Sequence, residues 1–213
     1  HTNSVISVSF SPDGKMLATA SYDCTALLWD LQGNQIAELV GHTDSVNSVS
    51  FSPDGKILAT ASDDKTVRLW NLSGNLITKL TGHASYVTSV SFSPDGKMLA
   101  TRSLDSTALL WGLQGNQIAE LTGYASDVKS VSFSPDGKML ATGSYDGTAL
   151  LWNLQGNQIG LSKNTDLGTA DYGFENLFWR GLIAELAGHT NSVISVSFSP
   201  DGKMLATASY DCT

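Results

Sequence analysis

A serine, an aspartate and a histidine recur together along this chain: Ser21, Asp23 and His1, then Ser62, Asp64 and His42. Brought into contact, those residue types could activate a serine hydroxyl for acyl transfer, with the imidazole as base and the carboxylate orienting it. Such an enzyme needs one site, however, and this trio returns with every repeat. The structural reading is stronger: a buried carboxylate needs donors, and a His N–H and a Ser O–H supply them. Asp166, Asp171 and Glu175 form the one acidic grouping outside the repeats, and they lack a partner base. The four histidines lie 41 or more residues apart, so no cluster has metal-ligand spacing. The repeated Pro-Asp-Gly-Lys matches neither a phosphate loop nor a calcium loop and reads as a solvated hairpin turn. We expect no enzymatic activity, no cofactor and no metal.

The elements that must position these residues follow from the repeat. Trp29, Trp70, Trp111 and Trp152 are spaced by 41 residues, and Gly41-His42 and Gly82-His83 precede their tryptophans by one common interval. The run Ser-Val-Ser-Phe-Ser-Pro-Asp-Gly-Lys occurs five times, centred on Phe10, Phe51, Phe92, Phe133 and Phe198. Within one unit, alternation predicts strands at Val5 to Phe10, Lys15 to Ser21, Thr25 to Leu31 and Gln35 to Leu39, separated by turns rich in Gly, Pro, Asp and Asn. One four-stranded sheet cannot bury both faces, so the units must stack.

With these marks the chain resembles the WD40-repeat family of β-propellers: Gly-His, then Ser-x-Asp, then Trp, at a 41-residue period over almost the whole length. The Trp-Asp dipeptide itself appears once, at Trp29-Asp30; Asn71, Gly112 and Asn153 follow the other tryptophans. The resemblance implies an all-β propeller of four-stranded antiparallel blades. Its units are 1–41, 42–82, 83–123 and 124–159, the last completed by a strand d near 183–188, with a half blade at 189–213. It also implies a hydrogen-bonded tetrad in each blade. Carried over by position, the sets are His1, Ser21, Asp23, Trp29; His42, Ser62, Asp64, Trp70; and His83, Ser103, Asp105, Trp111. Tyr124 stands in place of histidine beside Ser144, Asp146 and Trp152, so an altered network is expected there. His189, Ser209 and Asp211 form the fifth set.

Variation among the repeats concentrates in three rows. They are Ser4, Ser45, Tyr86, Asp127, Ser192; then Ile6, Asn47, Thr88, Lys129, Ile194; then Tyr22, Asp63, Leu104, Tyr145, Tyr210. The resemblance puts these offsets on the face around the central channel, which commonly receives protein partners. An aromatic-rich rim with interspersed polar groups suits protein recognition. The reading that competes is that exposed positions drift freely.

Composition narrows the partners. The 213 residues include 12 Lys plus Arg and 20 Asp plus Glu, a formal net charge of −8. That balance argues against a nucleic-acid backbone and against an anionic membrane. Charged residues are 15%, against about 25% in an average chain. No apolar run is long enough to span a bilayer. Two cysteines, Cys24 and Cys212, exclude a disulfide framework, and with no signal sequence they lean toward the cytoplasm. The chain opens on His1 rather than Met, which reads as a processed product or an excerpt.

Two features break the regularity. Residues 160–183 add 24 residues between strands c and d of the fourth unit. They read as an inserted loop, as a short helix carrying Phe174, Leu177, Phe178 and Leu182, or as a decayed repeat in which Leu167–Trp179 overlays Leu17–Trp29. Residues 189–213 are identical to 1–25. Near-identical units have interchangeable interfaces, so a second chain is expected to complete the ring. Two functions follow: a non-catalytic scaffold presenting its rim to a protein or peptide, or a recently amplified array whose main property is self-assembly.

Overall fold

A computed structural model describes residues 1–160 and 189–211 (158–160 as backbone). Among them every regular element is a β-strand. The chain divides into two compact units, His1–Gly123 and Tyr124–Thr213.

The first unit holds three four-stranded antiparallel sheets. Blade one is β1 (Val5–Phe10), β2 (Met16–Ser21), β3 (Ala26–Asp30) and β4 (Gln35–Leu39). Blade two is β5 (Val46–Phe51), β6 (Ile57–Ser62), β7 (Thr66–Asn71) and β8 (Leu76–Thr81). Blade three is β9 (Val87–Phe92), β10 (Met98–Ser103), β11 (Ala108–Gly112) and β12 (Gln117–Leu121). In the second unit, blade four is β13 (Val128–Phe133), β14 (Met139–Ser144), β15 (Ala149–Asn153) and β16 (Gln158–Gly160); a half blade is β17 (Val193–Phe198) with β18 (Leu205–Ser209).

The repeated turn between the first two strands of each blade explains itself. Ser11 Oγ donates to Asp13 Oδ1 at 2.7 Å and accepts from the Met16 N–H at 2.9 Å, while Gly14 N–H donates to Ser11 O at 2.8 Å. Gly14 takes φ 68°, a region open to glycine at no steric cost. The Pro-Asp-Gly-Lys signature is thus a self-satisfied hairpin turn.

In the fourth blade β16 begins at Gln158, directly after the turn, and pairs Leu151 with Gly160 and Trp152 with Gln158. That register repeats Trp29 with Gln35 and Trp111 with Gln117, because the same Gln-Gly-Asn turn precedes all three. The three readings of 160–183, and the strand expected at 183–188, lie outside the described residues beyond Gly160.

The sheets are apolar on both faces, and within each unit successive blades bury one face against the next. Ala18, Ala20, Ala26 and Leu28 of blade one meet Val46, Val49 and Phe51 of blade two. Ala59, Ala61 and Leu69 of blade two meet Val87, Val90 and Phe92. In the second unit, Ala141 and Leu151 meet Val193, Val196 and Phe198. Small residues on one face let the neighbouring β-branched and aromatic side chains approach at core density.

The turn between the second and third strands carries strain. Its fourth residue is left-handed in all four complete blades: Cys24 at φ 70°, Lys65 at 69°, Ser106 at 66° and Gly147 at 83°. A side chain there costs roughly 1–2 kcal/mol that glycine avoids. Replacing Cys24, Lys65 or Ser106 by Gly is therefore expected to raise stability by about 0.5–1 kcal/mol each after glycine's larger unfolded-state entropy is subtracted. Gly147→Ala is expected to lower it, since the added Cβ would also lie 3.0 Å from Asn191 O. Thermal unfolding of the four variants checks both signs.

Candidate functional site

The histidine, aspartate and tryptophan of the first three sets do meet, but the hydroxyl between them is not the serine chosen by spacing. In blade two, His42 Nδ1 lies 2.8 Å from Asp64 Oδ2, and His42 Nε2 lies 2.7 Å from Thr60 Oγ1. Trp70 Nε1–H donates to the same Thr60 hydroxyl at 2.8 Å. Thr19 does this for His1 and Trp29, and Thr101 for His83 and Trp111. In the half blade, Thr207 lies 2.7 Å from His189 Nε2, with Asp211 on the other ring nitrogen.

Strand geometry explains the correction from Ser21, Ser62, Ser103, Ser144 and Ser209. Trp70 pairs across the sheet with Leu58. The next residue on that face is Thr60, whereas Ser62 is four positions along, roughly 13 Å away. The serines work at the strand end instead. Ser62 Oγ accepts from Asp64 N–H at 3.0 Å and donates to Asp44 O at 3.0 Å. Ser21, Ser103, Ser144 and Ser209 likewise accept from Asp23, Asp105, Asp146 and Asp211 N–H. No serine stands on a histidine in these blades, and the threonine that does is fully buried beneath a tryptophan in blades two and three. The arrangement ties strands together, and in blades two and three it closes the hydroxyl off.

Proton positions follow from the donor order. The Trp70 N–H donates to Thr60, the Thr60 O–H to His42 Nε2, and the His42 Nδ1–H to Asp64. This chain uses a neutral imidazole, so the His–Asp contact is a hydrogen bond and not an ion pair. Electrostatics agree. Burial pushes His42 and His83 below the usual imidazole value, outweighing the pull of Asp64 and Asp105. Burial alone would raise Asp64, but hydrogen bonds from His42 and Thr66 hold its carboxyl far below the ordinary range. Asp23 and Asp105 are depressed in the same way, with Thr25 and Thr107 as leading donors.

The fourth network is rewired, as its tyrosine foretold. Tyr124 Oη sits in very close contact with Thr142 Oγ1 and accepts from Trp152 Nε1–H at 3.1 Å, while Trp152 also donates to Thr142 at 2.8 Å. Burial lifts the Tyr124 hydroxyl well above its ordinary pKa, so it stays protonated. Asp146 receives the Ala125 N–H at 2.6 Å and the Thr148 hydroxyl at 2.5 Å.

The three variable rows converge at one end of each blade. Tyr22, Asp63, Leu104, Tyr145 and Tyr210 each donate a backbone N–H to the carbonyl of Ser4, Ser45, Tyr86, Asp127 and Ser192 respectively, at 2.9–3.2 Å. The middle row sits on a β-bulge that alternation could not reveal. Val46 pairs with Ser62 and Ser48 with Ala61, leaving Asn47 unpaired between them. Ile6, Thr88, Lys129 and Ile194 occupy the same bulge in their own sheets. A bulge frees one residue from the ladder and re-aims its side chain.

Side chains at these positions divide by role. Tyr22, Tyr86, Tyr145 and Tyr210 are about half exposed. Lys129 Nζ lies 4.7 Å from the Tyr145 ring centroid and 3.3 Å from Asp127, and the Tyr145 and Tyr210 rings meet edge to face at 6.5 Å. Asn47 Nδ2 donates to Asp63 at 2.6 Å and to Val87 O at 3.1 Å, and Thr88 Oγ1 donates to Arg102 O at 3.4 Å. Ser192 is corrected: expected on the rim, it is buried, and its hydroxyl donates to Tyr145 O at 2.8 Å because the half blade packs on blade four there. Ser4 and Ile6 are exposed, Ser45 and Leu104 half-buried, and Ile194 at the edge of exposure.

The buried neutral histidines set a pH dependence. Unfolded histidine titrates near 6.5, and the native values of His42 and His83 lie lower. Between the two values the unfolded chain binds protons that the native chain does not, so stability falls as pH drops below about 6.5. The aspartates, depressed in the native state, add a second loss below about 3.8. The melting temperature is expected to fall from pH 7.5 to pH 5, and His42→Gln with His83→Gln to flatten that slope. A melting temperature that rises over the same interval would mean charged imidazoles and overturn the assignment.

Comparison with known proteins returns to the same architecture. The family model described as IFT122 first beta-propeller matches residues 4–176, and the one described as WD domain, G-beta repeat matches 180–213. No curated protein matches the chain. Such propellers generally serve as non-catalytic scaffolds for protein–protein interaction. With 41-residue four-stranded blades, a His–Asp–Thr–Trp network in each of the first three and a family match over most of its length, the chain belongs to the WD40-repeat β-propeller family.

Proposed function

We propose that this chain is an interaction module that receives a protein or peptide on the bulged ends of its blades. The observation that supports this most is the coincidence of two independent patterns. The copies differ most where each sheet carries a bulge, and there the side chains leave the ladder and four tyrosines stand half exposed. Rigid aromatic groups with polar neighbours give contact area at small entropic cost. Binding here requires no proton transfer, metal or cofactor. Replacing Tyr22, Tyr86, Tyr145 and Tyr210 together by Ser removes the aromatic surface without touching the buried networks. Affinity capture from a lysate with both forms is expected to lose the specific partner in the variant while its melting temperature stays within about 1 kcal/mol equivalent of the parent. A partner retained by the variant would remove the rim from consideration.

Self-assembly is the second reading, favoured by one specific contrast. Val5, Val8 and Phe10 of β1 are 50, 60 and 64% exposed, while the identical Val193, Val196 and Phe198 of β17 are 0, 4 and 9% exposed. The uncovered face is an inter-blade surface without its neighbour, and we propose that a second copy covers it and completes the ring. Light scattering of the 213-residue chain is expected to give twice 22.5 kDa, reverting to the single mass in Val8→Lys. A parent that stays folded at the single mass would overturn the pairing.

A further inference from the structure

The third and fourth strands are copied between blades almost unchanged, and blade two breaks the copy. Residues 26–39 and 108–121 differ only at Asp30 and Gly112. In blade two, Arg68 replaces the leucine of Leu27 and Leu109, Lys79 replaces the glutamate of Glu38 and Glu120, and Leu76 replaces the glutamine of Gln35 and Gln117. The sheet register turns these changes into one surface. Arg68 stands directly opposite Lys79, where the other blades pair Leu27 with Glu38 and Leu109 with Glu120. Leu76 stands opposite Trp70, two residues from Arg68 on the same face.

The pair is unfavourable by itself. Like charges directly across a sheet repel. Arg68 lies over the Trp70 ring, its guanidinium carbon 5.9 Å from the centroid, and against Gly41. Its Nε is closed to water and has no hydrogen-bond acceptor among the described residues, so a carboxylate would meet the two terminal nitrogens of the guanidinium. A guanidinium fork is built to meet a carboxylate through two parallel hydrogen bonds. Lys79, Leu76 and Ile77 are exposed beside it on the outer strand.

We propose that the outer side of blade two is a docking site for an acidic peptide. A carboxylate of the peptide sits on Arg68, a second acidic side chain meets Lys79, and an apolar residue beside them packs on Leu76. A free inorganic anion or a nucleic-acid phosphate would make no use of Leu76. This surface is separate from the bulged blade ends, so either proposal can fail alone.

The test uses a fluorescein-labelled peptide, Gly-Glu-Leu-Glu-Glu-Leu-Gly, and fluorescence anisotropy on the 213-residue chain. The variant Arg68→Leu with Lys79→Glu carries the residues with which blades one and three already fold. It is expected to bind about tenfold more weakly or worse, at an unchanged or raised melting temperature. Adding Leu109→Arg, Gln117→Leu and Glu120→Lys to that variant is expected to return binding to blade three. The four-tyrosine variant is expected to bind as the parent does, and a peptide with Lys in place of Glu not at all. Unchanged affinity in the first variant would overturn the proposal. So would displacement by inorganic phosphate as effective as by unlabelled peptide, which would mark a simple anion site.

Discussion

A four-stranded sheet with two apolar faces has no stable existence alone, and every other feature of this molecule follows from that constraint. Each blade must present a face that its neighbour can cover, and the chain meets this by making the faces complementary and repeating them. Alanines and Leu28 on one side receive Val46, Val49 and Phe51 on the other. The pairing is made of small against large side chains, so a shift of one blade against the next would either collide or leave voids. Turn chemistry, strand length and the 41-residue period are conditions for placing the next face in register.

Stacking buries polar atoms as well, and the histidine networks resolve that cost. The Gly-His segment must cross from one blade to the first strand of the next, and the turn aspartate projects into the same space. A carboxylate there is tolerable only if several donors meet it; His42, Thr66 and the Thr43 N–H do so for Asp64. The polarity runs in one direction from indole to carboxylate, which keeps the imidazole neutral and spares the interior a second charge. Tyr124 gives the Trp152 N–H an acceptor and meets the Thr142 hydroxyl, but it has no second ring nitrogen to offer a carboxylate, and Asp146 takes the Ala125 N–H and the Thr148 hydroxyl.

Much of this was legible in the sequence, because repetition makes a pattern visible several times over. The strands and the turns follow from period and alternation, and the family resemblance implied the histidine, aspartate and tryptophan of each network. What escaped has a common physical origin: it depends on registers between strands. Thr60 and Ser62 lie on the same face and have similar chemistry, so only the pairing of Trp70 with Leu58 decides between them. The bulge at Asn47 leaves no trace in composition. Ser192 has the offset of an exposed residue and is buried because the half blade meets blade four. The divergence of Arg68 and Lys79 was visible in the aligned repeats, but its meaning needed the register that sets them face to face.

Near-identity among blades also constrains where specificity can reside. A surface that repeats one side chain in every blade offers a partner several equivalent sites and so no unique orientation. Recognition must use the positions where copies differ, and stability restricts which positions can differ. Residues on the stacked faces cannot vary without disturbing a neighbour, and those in the networks cannot vary without stranding a buried carboxylate. Two places escape both restrictions. One is the bulge, where a residue is released from the ladder. The other is the outer strand pair, where Leu and Glu can become Arg and Lys because the guanidinium finds room over Trp70 beside a glycine without a side chain. The same constraint that forces the repeats to be alike therefore keeps their differences away from the stacked faces and the buried networks.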